Sequence, residues 1–230
     1  MNLIFGIAVT VIFYILTADA IKKHPGAFYL GIYVWCGAVV MYFNLGYDQK
    51  FPEWFNVYFM NMFSRGIFTT ATFMVVMYLG VIPKHNKLSR KLMSVRGEIS
   101  IIGSLLTLSH NVVFGVKYFP MLFTNPKAMP TRELIASSIT LCLLAMLIPL
   151  FITSFKVVRR KMSGKTWKKI QRMAYPFFIG IYVHIMVLYS ADVKSHITGI
   201  VVYTLIYGSY VVLRLRKAAL KSRKLKAATA

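Results

Sequence analysis

Thr166–His184 reads TWKKIQRMAYPFFIGIYVH, and the order of its residue types decides the fold. A cationic run containing Lys168, Lys169 and Arg172 gives way at Pro176 to an apolar segment. Proline is tolerated in a first helical turn, where its missing N–H would have had no partner. The apolar sequence continues to residue 191, close to the roughly 20 residues that cross a hydrocarbon core of about 30 Å. His184 lies about two thirds of the way across, where an ionisable side chain is costly and is a functional candidate by default.

The rest of the chain repeats the pattern of apolar span and basic loop. The spacing predicts spans over 2–21, 27–46, 60–82, 98–118, 134–155, 174–191 and 197–214, with a kink at Pro149 in the fifth. Hydrophobic residues make up 57% of the 230, and mean hydropathy is +0.61. The expected fold class is therefore all-α, a polytopic membrane helix bundle of about seven transmembrane helices.

Charge orients the bundle. The chain holds 28 Lys and Arg against 6 Asp and Glu. Lys22 and Lys23 follow the first span; Lys84, Lys87, Arg90, Lys91 and Arg96 follow the third. The fifth is followed by Lys156, Arg159, Arg160, Lys161, Lys165, Lys168, Lys169 and Arg172. Past the seventh come Arg214, Arg216, Lys217, Lys221, Arg223, Lys224 and Lys226. The opposite side has only Lys50, Lys117, Lys127, Arg132 and Lys194, beside Asp48, Glu53, Glu133 and Asp192. By the positive-inside rule the N-terminus is expected outside and the C-terminus in the cytoplasm, in an inner or plasma membrane. The first apolar run carries its cations behind it, so it reads as a retained span rather than a signal peptide.

Short basic loops leave no basic domain to fold, which argues against nucleic-acid binding. The exterior stretches YDQKFPEWF and KYFPMLFTNPKAMPTREL are rich in Pro and aromatic residues, as interfacial segments are. The two cysteines, Cys36 and Cys142, lie in apolar runs and read as buried packing residues rather than a disulfide or metal pair. The chain divides into two N-terminal helices with an exterior loop (1–59), a core (60–191), and a last helix with a basic tail (192–230).

Of five histidines, His24 and His85 fall in basic loops and His196 at the outer end of the seventh span. Only His110 and His184 lie well inside, on spans that run the same way. At about 1.5 Å per residue, His110 is about 18 Å from the inner end of its span and His184 about 15 Å. Two level imidazoles on separate helices suit the two axial positions of a haem. Gly103 and Gly180, on the same faces, would allow a flat macrocycle close approach, or would serve helix packing. Arg65 lies shallowly below the outer surface, where pairing with a propionate and snorkelling to headgroups are both open. Separate hydrogen-bonded histidines, or a proton path, are the alternatives to haem.

The segments SRKLMSVRGEISIIGSLLTLSHN (89–111) and TSFKVVRRKMSGKTWKKIQRMAYPFFIGIYVHIM (153–186) together resemble the ferric reductase-like transmembrane domain superfamily. Within it the likeness is nearest to the MsrQ-type haem subunit of bacterial methionine sulfoxide reductase. The residues that carry it are Arg96-Gly97 leading to His110, and Trp167, Arg172 and Tyr175 leading to His184. The likeness covers roughly residues 60 to 190. It implies axial ligation of haem b by His110 and His184. Superfamily members hold a second haem on ligands one layer inward. Those positions are Arg96, 14 residues before His110, and Gln171, 13 before His184. Neither is a usual haem ligand, so one haem is expected, and Arg96 and Gln171 either line a site for a flavin such as FMN or belong to a basic end that serves topology alone.

The implied function is a haem b electron-transfer subunit, an oxidoreductase component without its own NAD(P)H/FAD domain. Its electrons would come from a cytosolic flavoprotein reductase, a flavin or a quinol. They would pass to an extracytoplasmic redox protein, a flavin acceptor or ferric iron. Membrane lipid is the other expected partner. The alternative is a transporter or proton-path protein that uses Arg65, His110 and His184 without haem.

Overall fold

The computed structural model describes residues 2–83 and 86–229. Lys84 and His85, which the spacing puts in a basic loop, lie outside the described residues, as do the side chains of Lys224 and Lys226. The described residues are helical, with no strand among them. Two helices lead: α1 (Asn2–Lys23) and α2 (Pro25–Asn44). A short α3 (Glu53–Phe55), a π-helical stretch (Asn56–Met60) and α4 (Asn61–Ser64) lead to α5 (Ile67–Leu79). Then come α6 (Lys87–Ser94), α7 (Arg96–Thr124), α8 (Thr131–Ser154), α9 (Lys156–Arg160), α10 (Gly164–Gln171), α11 (Ala174–Tyr189) and α12 (Val193–Thr229). Among the described residues, six helices are long and apolar enough to cross a membrane, and up to seven spans result if the bent pair 53–64 and 67–79 counts as one. That is the makeup of a multi-pass membrane protein, because in lipid every backbone polar group has to bond within its own helix.

α5 is the centre of the bundle. All its residues from Thr69 to Met77 are buried, and Leu79 with them. One side packs Phe73, Met74 and Met77 into a cluster with Leu143, Leu147, Phe177, Phe178, Tyr207 and Tyr210. Its other side sends Val75, Val76 and Leu79 into a cluster with Tyr14, Ile21, Ile99 and Ile102. Lipid tails are as apolar as these side chains, so close packing and interhelical hydrogen bonds hold such a bundle. Tyr14 Oη and Thr72 Oγ1 meet at 3.2 Å between α1 and α5. Tyr78 Oη donates to the Ile206 carbonyl at 2.6 Å, tying α5 to α12.

The basic segments gather at one end. Lys91 pairs with Asp19 at 2.8 Å, Lys217 donates to the Gly80 carbonyl, and the Arg214 guanidinium lies over the Tyr175 ring. Several boundaries differ from those expected. The third span is not continuous: Gly66 adopts φ +71° and the helices on its two sides meet at 46°. That left-handed conformation is a helix-ending signal which glycine meets at little cost. α7 continues through Pro120 to Thr124, and α8 runs as one helix across Pro149 to Ser154. α12 extends to Thr229 rather than 214, because RLRKAALKSRKLKAA consists largely of strong helix formers.

Gly103 and Gly180 prove to be packing residues. A Cβ at Gly103 would lie 2.9 Å from Thr72 Cγ2 and 3.3 Å from Phe73 Cε1; one at Gly180 would lie 2.7 Å from Leu143 Cδ2. Gly103→Leu is therefore expected to force α7 away from α5 at a cost of about 1–3 kcal/mol, as overpacked cores do. A lowered thermal unfolding midpoint in detergent would register it, and an unchanged midpoint would contradict the packing. Cys36 is buried, with its Sγ 3.6 Å from the Leu105 carbonyl, but Cys142 is exposed on the outer face of α8. An apolar span gives no sign of which face turns outward, so the expectation of two buried cysteines holds for only one.

Candidate functional site

His110 projects from the middle of α7 onto the break in the third span. Its Nδ1 lies 2.5 Å from the carbonyl oxygen of Ser64, the last residue of α4. Helix ends leave carbonyls without intrahelical partners, and the bend turns one of them toward the imidazole. Gly66 closes the corner: a Cβ there would sit 3.5 Å from His110 Cγ and Nδ1. Phe114, one turn along α7, flanks the ring at 5.3 Å between centroids.

His184 on α11 is held the same way from another helix. Its Nδ1 lies 3.2 Å from the Ala136 carbonyl and 3.4 Å from Thr140 Oγ1, both on α8. The Thr140 hydroxyl itself donates to the Ala136 carbonyl at 2.9 Å. A carbonyl only accepts, so in both histidines Nδ1 carries the proton and Nε2 keeps its lone pair. This is the arrangement in which metal-bound histidines are oriented by a partner on the other ring nitrogen. The two imidazoles are half-buried and within electrostatic range of each other. α8 packs against both α7 and α11, and α5 packs against α7 and narrowly against α11. A neutral imidazole with a free Nε2 is the donor type a haem iron would take, and His110 and His184 are the residues that would hold it.

Arg65 occupies the corner residue between Ser64 and Gly66 and is exposed. Its charge is within range of Tyr189, whose ring stacks on His196 with centroids 4.5 Å apart and planes 8° from parallel. His24, at the junction of α1 and α2, is exposed and apart from the pair.

Toward the basic end, Arg96 and Gln171 do come together. They line one cavity of about 450 Å³ between α5, α7, α8, α10 and α11. Apolar side chains, among them Phe73, Leu147, Phe177 and Phe178, form its deep wall. Arg159, Lys168 and Arg172 line it as well, and the Arg159 guanidinium lies 4.3 Å from the centre of the Trp167 ring. Arg96 Nε donates to the Val76 carbonyl at 2.8 Å, and Gln171 Nε2 donates to Thr153 Oγ1 at 3.0 Å. Trp167 Nε1 donates to the Thr153 carbonyl at 3.1 Å. Trp167, Arg172 and Tyr175, the residues of the sequence resemblance, all line this cavity. Its volume lies in the range of small-molecule sites.

Sequence reasoning missed Ser64, Ala136 and Thr140, and it missed Thr153, Glu98 and Lys156 in the cavity. The first three act through a backbone carbonyl or one hydroxyl, which carries no residue-type signature. A glycine behind Ser64-Arg65 was the available hint that α4 ends there. Glu98 and Lys156 meet only through the fold, at 2.6 Å between Oε1 and Nζ.

The chain matches no family model and no solved structure. It is similar to an uncharacterized protein of Treponema pallidum (strain Nichols), 31% identical over 231 residues. The match takes in 95% of this chain and 61% of that protein, so the chain spans about three fifths of its relative's length.

Proposed function

We propose that this chain is a haem b electron-transfer subunit of the MsrQ-like kind within the ferric reductase-like superfamily, set in the inner or plasma membrane with its basic end in the cytoplasm. The observation that carries the reading is the paired histidine geometry. Two imidazoles on different helices each give Nδ1–H to a carbonyl, at 2.5 Å for His110 and 3.2 Å for His184, and so present a free Nε2. A proton path would call for alternating donors and acceptors, not two rings each locked in one tautomer.

In this reading His110 and His184 hold the iron, while Ser64 and Ala136 orient them. When bound, haem supplies one-electron chemistry at a potential set by its axial ligands and burial. Arg65, at the opposite end from the basic loops, supplies a cation for a propionate. The inner cavity is the entry site for electrons. Arg96 and Gln171 replace ligands there, and with Arg172 and Lys168 they suit a flavin such as FMN, an anion with a planar polar-edged ring. A cytosolic flavoprotein or a quinol is the source of reducing equivalents. An extracytoplasmic protein, a flavin or ferric iron takes them up.

The test is the absorption spectrum of the purified full chain, oxidised and then dithionite-reduced, with haem and released flavin quantified against protein. A Soret band, sharp reduced α and β bands and one haem per chain are expected. A colourless protein from haem-replete cells would refute the reading, and two haems per chain would refute the assignment of Arg96 and Gln171.

A further inference from the structure

Among the described residues that line the inner cavity, Glu98 is the one carboxylate, and nothing in the reading above uses it. It sits in the first turn of α7 with its side chain 5% exposed, paired through Oε1 with Lys156, whose side chain is 61% exposed. An ion pair with one partner this exposed adds little net stability. The groups facing Glu98 are Lys156 from α9 and, within electrostatic range, Tyr29 from α2. Arg96 on its own helix, and Arg159, Trp167, Lys168, Arg172 and Tyr175 from α9, α10 and α11, share the cavity. Those cations are already protonated, and amide and hydroxyl groups are poor bases. Among the described lining residues, Glu98 is thus the one side chain with a basic oxygen to offer a proton.

We infer that Glu98 is the proton acceptor for a two-electron, two-proton donor of the hydroquinone class, a reduced flavin or a quinol, oxidised in this cavity. The inference rests on the haem reading above. Such a donor gives up two electrons and two protons, whereas a haem iron takes one electron at a time and no proton. As each electron leaves toward the paired histidines, an N–H or O–H bond of the donor breaks and an O–H bond forms on the Glu98 carboxylate. The neutral acid returns its proton to water beside the exposed Lys156, and the ion pair re-forms before the second electron moves.

Anaerobic stopped-flow reduction of the full haem-loaded chain tests this, with chemically reduced FMN as the probe donor and dithionite, which has no proton to hand on, as the comparison. Glu98→Gln is expected to slow haem reduction by reduced FMN by about 10²-fold, the scale of general-base catalysis, and to leave the dithionite rate unchanged. In the wild type the FMN-driven rate should fall as pH drops. That fall should be absent from the variant, while Glu98→Asp recovers part of the rate. Infrared redox-difference spectra should show a protonated-carboxyl C=O band during donor oxidation that Glu98→Gln removes. A wild-type rate and pH profile in Glu98→Gln would overturn the inference, as would equal slowing with both reductants, which would mark a structural role. Should the single variant not accumulate, Glu98→Gln with Lys156→Gln, which removes both charges, gives the same reading. A colourless wild type would instead overturn the haem reading itself.

Discussion

His184→Ala and His110→Ala proteins should each be purified with the sharp reduced α band lost and with haem content down by about tenfold or more. Changing even the outer partners of a metal ligand costs 10–100-fold in affinity, so removing a ligand should do at least as much. The two rings do not substitute for one another. His110 is fixed to the end of α4 and His184 to the wall of α8, so neither can reach across to complete the other's bond. Both substitutions remove a half-buried side chain that is not itself part of the apolar clusters, whose neighbouring members Leu106, Ile181 and Ile185 remain in place. The helices should therefore persist, and circular dichroism should show wild-type helicity. The Gly variants at either position, supplied with free imidazole in the buffer, should regain part of the band, because the small base can occupy the vacated place. A wild-type spectrum from either Ala variant would rule the pair out as axial ligands.

Gly66→Val should be the most damaging substitution outside the ligands. Gly66 has φ +71°, a left-handed conformation that costs an ordinary L-residue about 1–2 kcal/mol and a β-branched one more. A Cβ there would be in contact with His110 Cγ and Nδ1 at 3.5 Å. That is an acceptable distance for one methyl group, but the two further methyls of valine would press on the imidazole or straighten the bend. Either outcome parts Nδ1 from the Ser64 carbonyl and lets the ring turn. We expect a loss of roughly 2 kcal/mol or more in thermal unfolding, together with a shifted Soret band. Gly66→Ala should lose stability with a near-native spectrum, since its Cβ fits but its φ does not. A valine variant with native spectrum and stability would show that the corner does not position His110.

The legible part of the site was its chemistry. His110 and His184 stood out because an ionisable group inside a span is costly and rare. Arg96 and Gln171 stood out because the superfamily resemblance puts second-haem ligands at those positions, and both line the inner cavity. What stayed hidden were the groups that aim the side chains. The Ser64 carbonyl depends on a bend between two helices, and the Ala136 carbonyl on α8 lying against α11. Gly103 and Gly180 illustrate the same limit from the other side. Their spacing put them on the histidines' faces, yet Thr72, Phe73 and Leu143 crowd the space that their missing side chains leave.

The sequence by itself determined that this protein is helical and multi-pass. Apolar length is a local property of the chain, and in lipid a continuous apolar segment has to satisfy its own hydrogen bonds as a helix. Only the tertiary structure decided which face of each helix turns inward. Spans that are apolar all round carry no contrast between lipid-facing and buried sides, as the exposed Cys142 and the buried Cys36 show. Packing against α5 and α8 therefore had to settle where His110, His184 and Glu98 point, and with that which of their atoms are free to react.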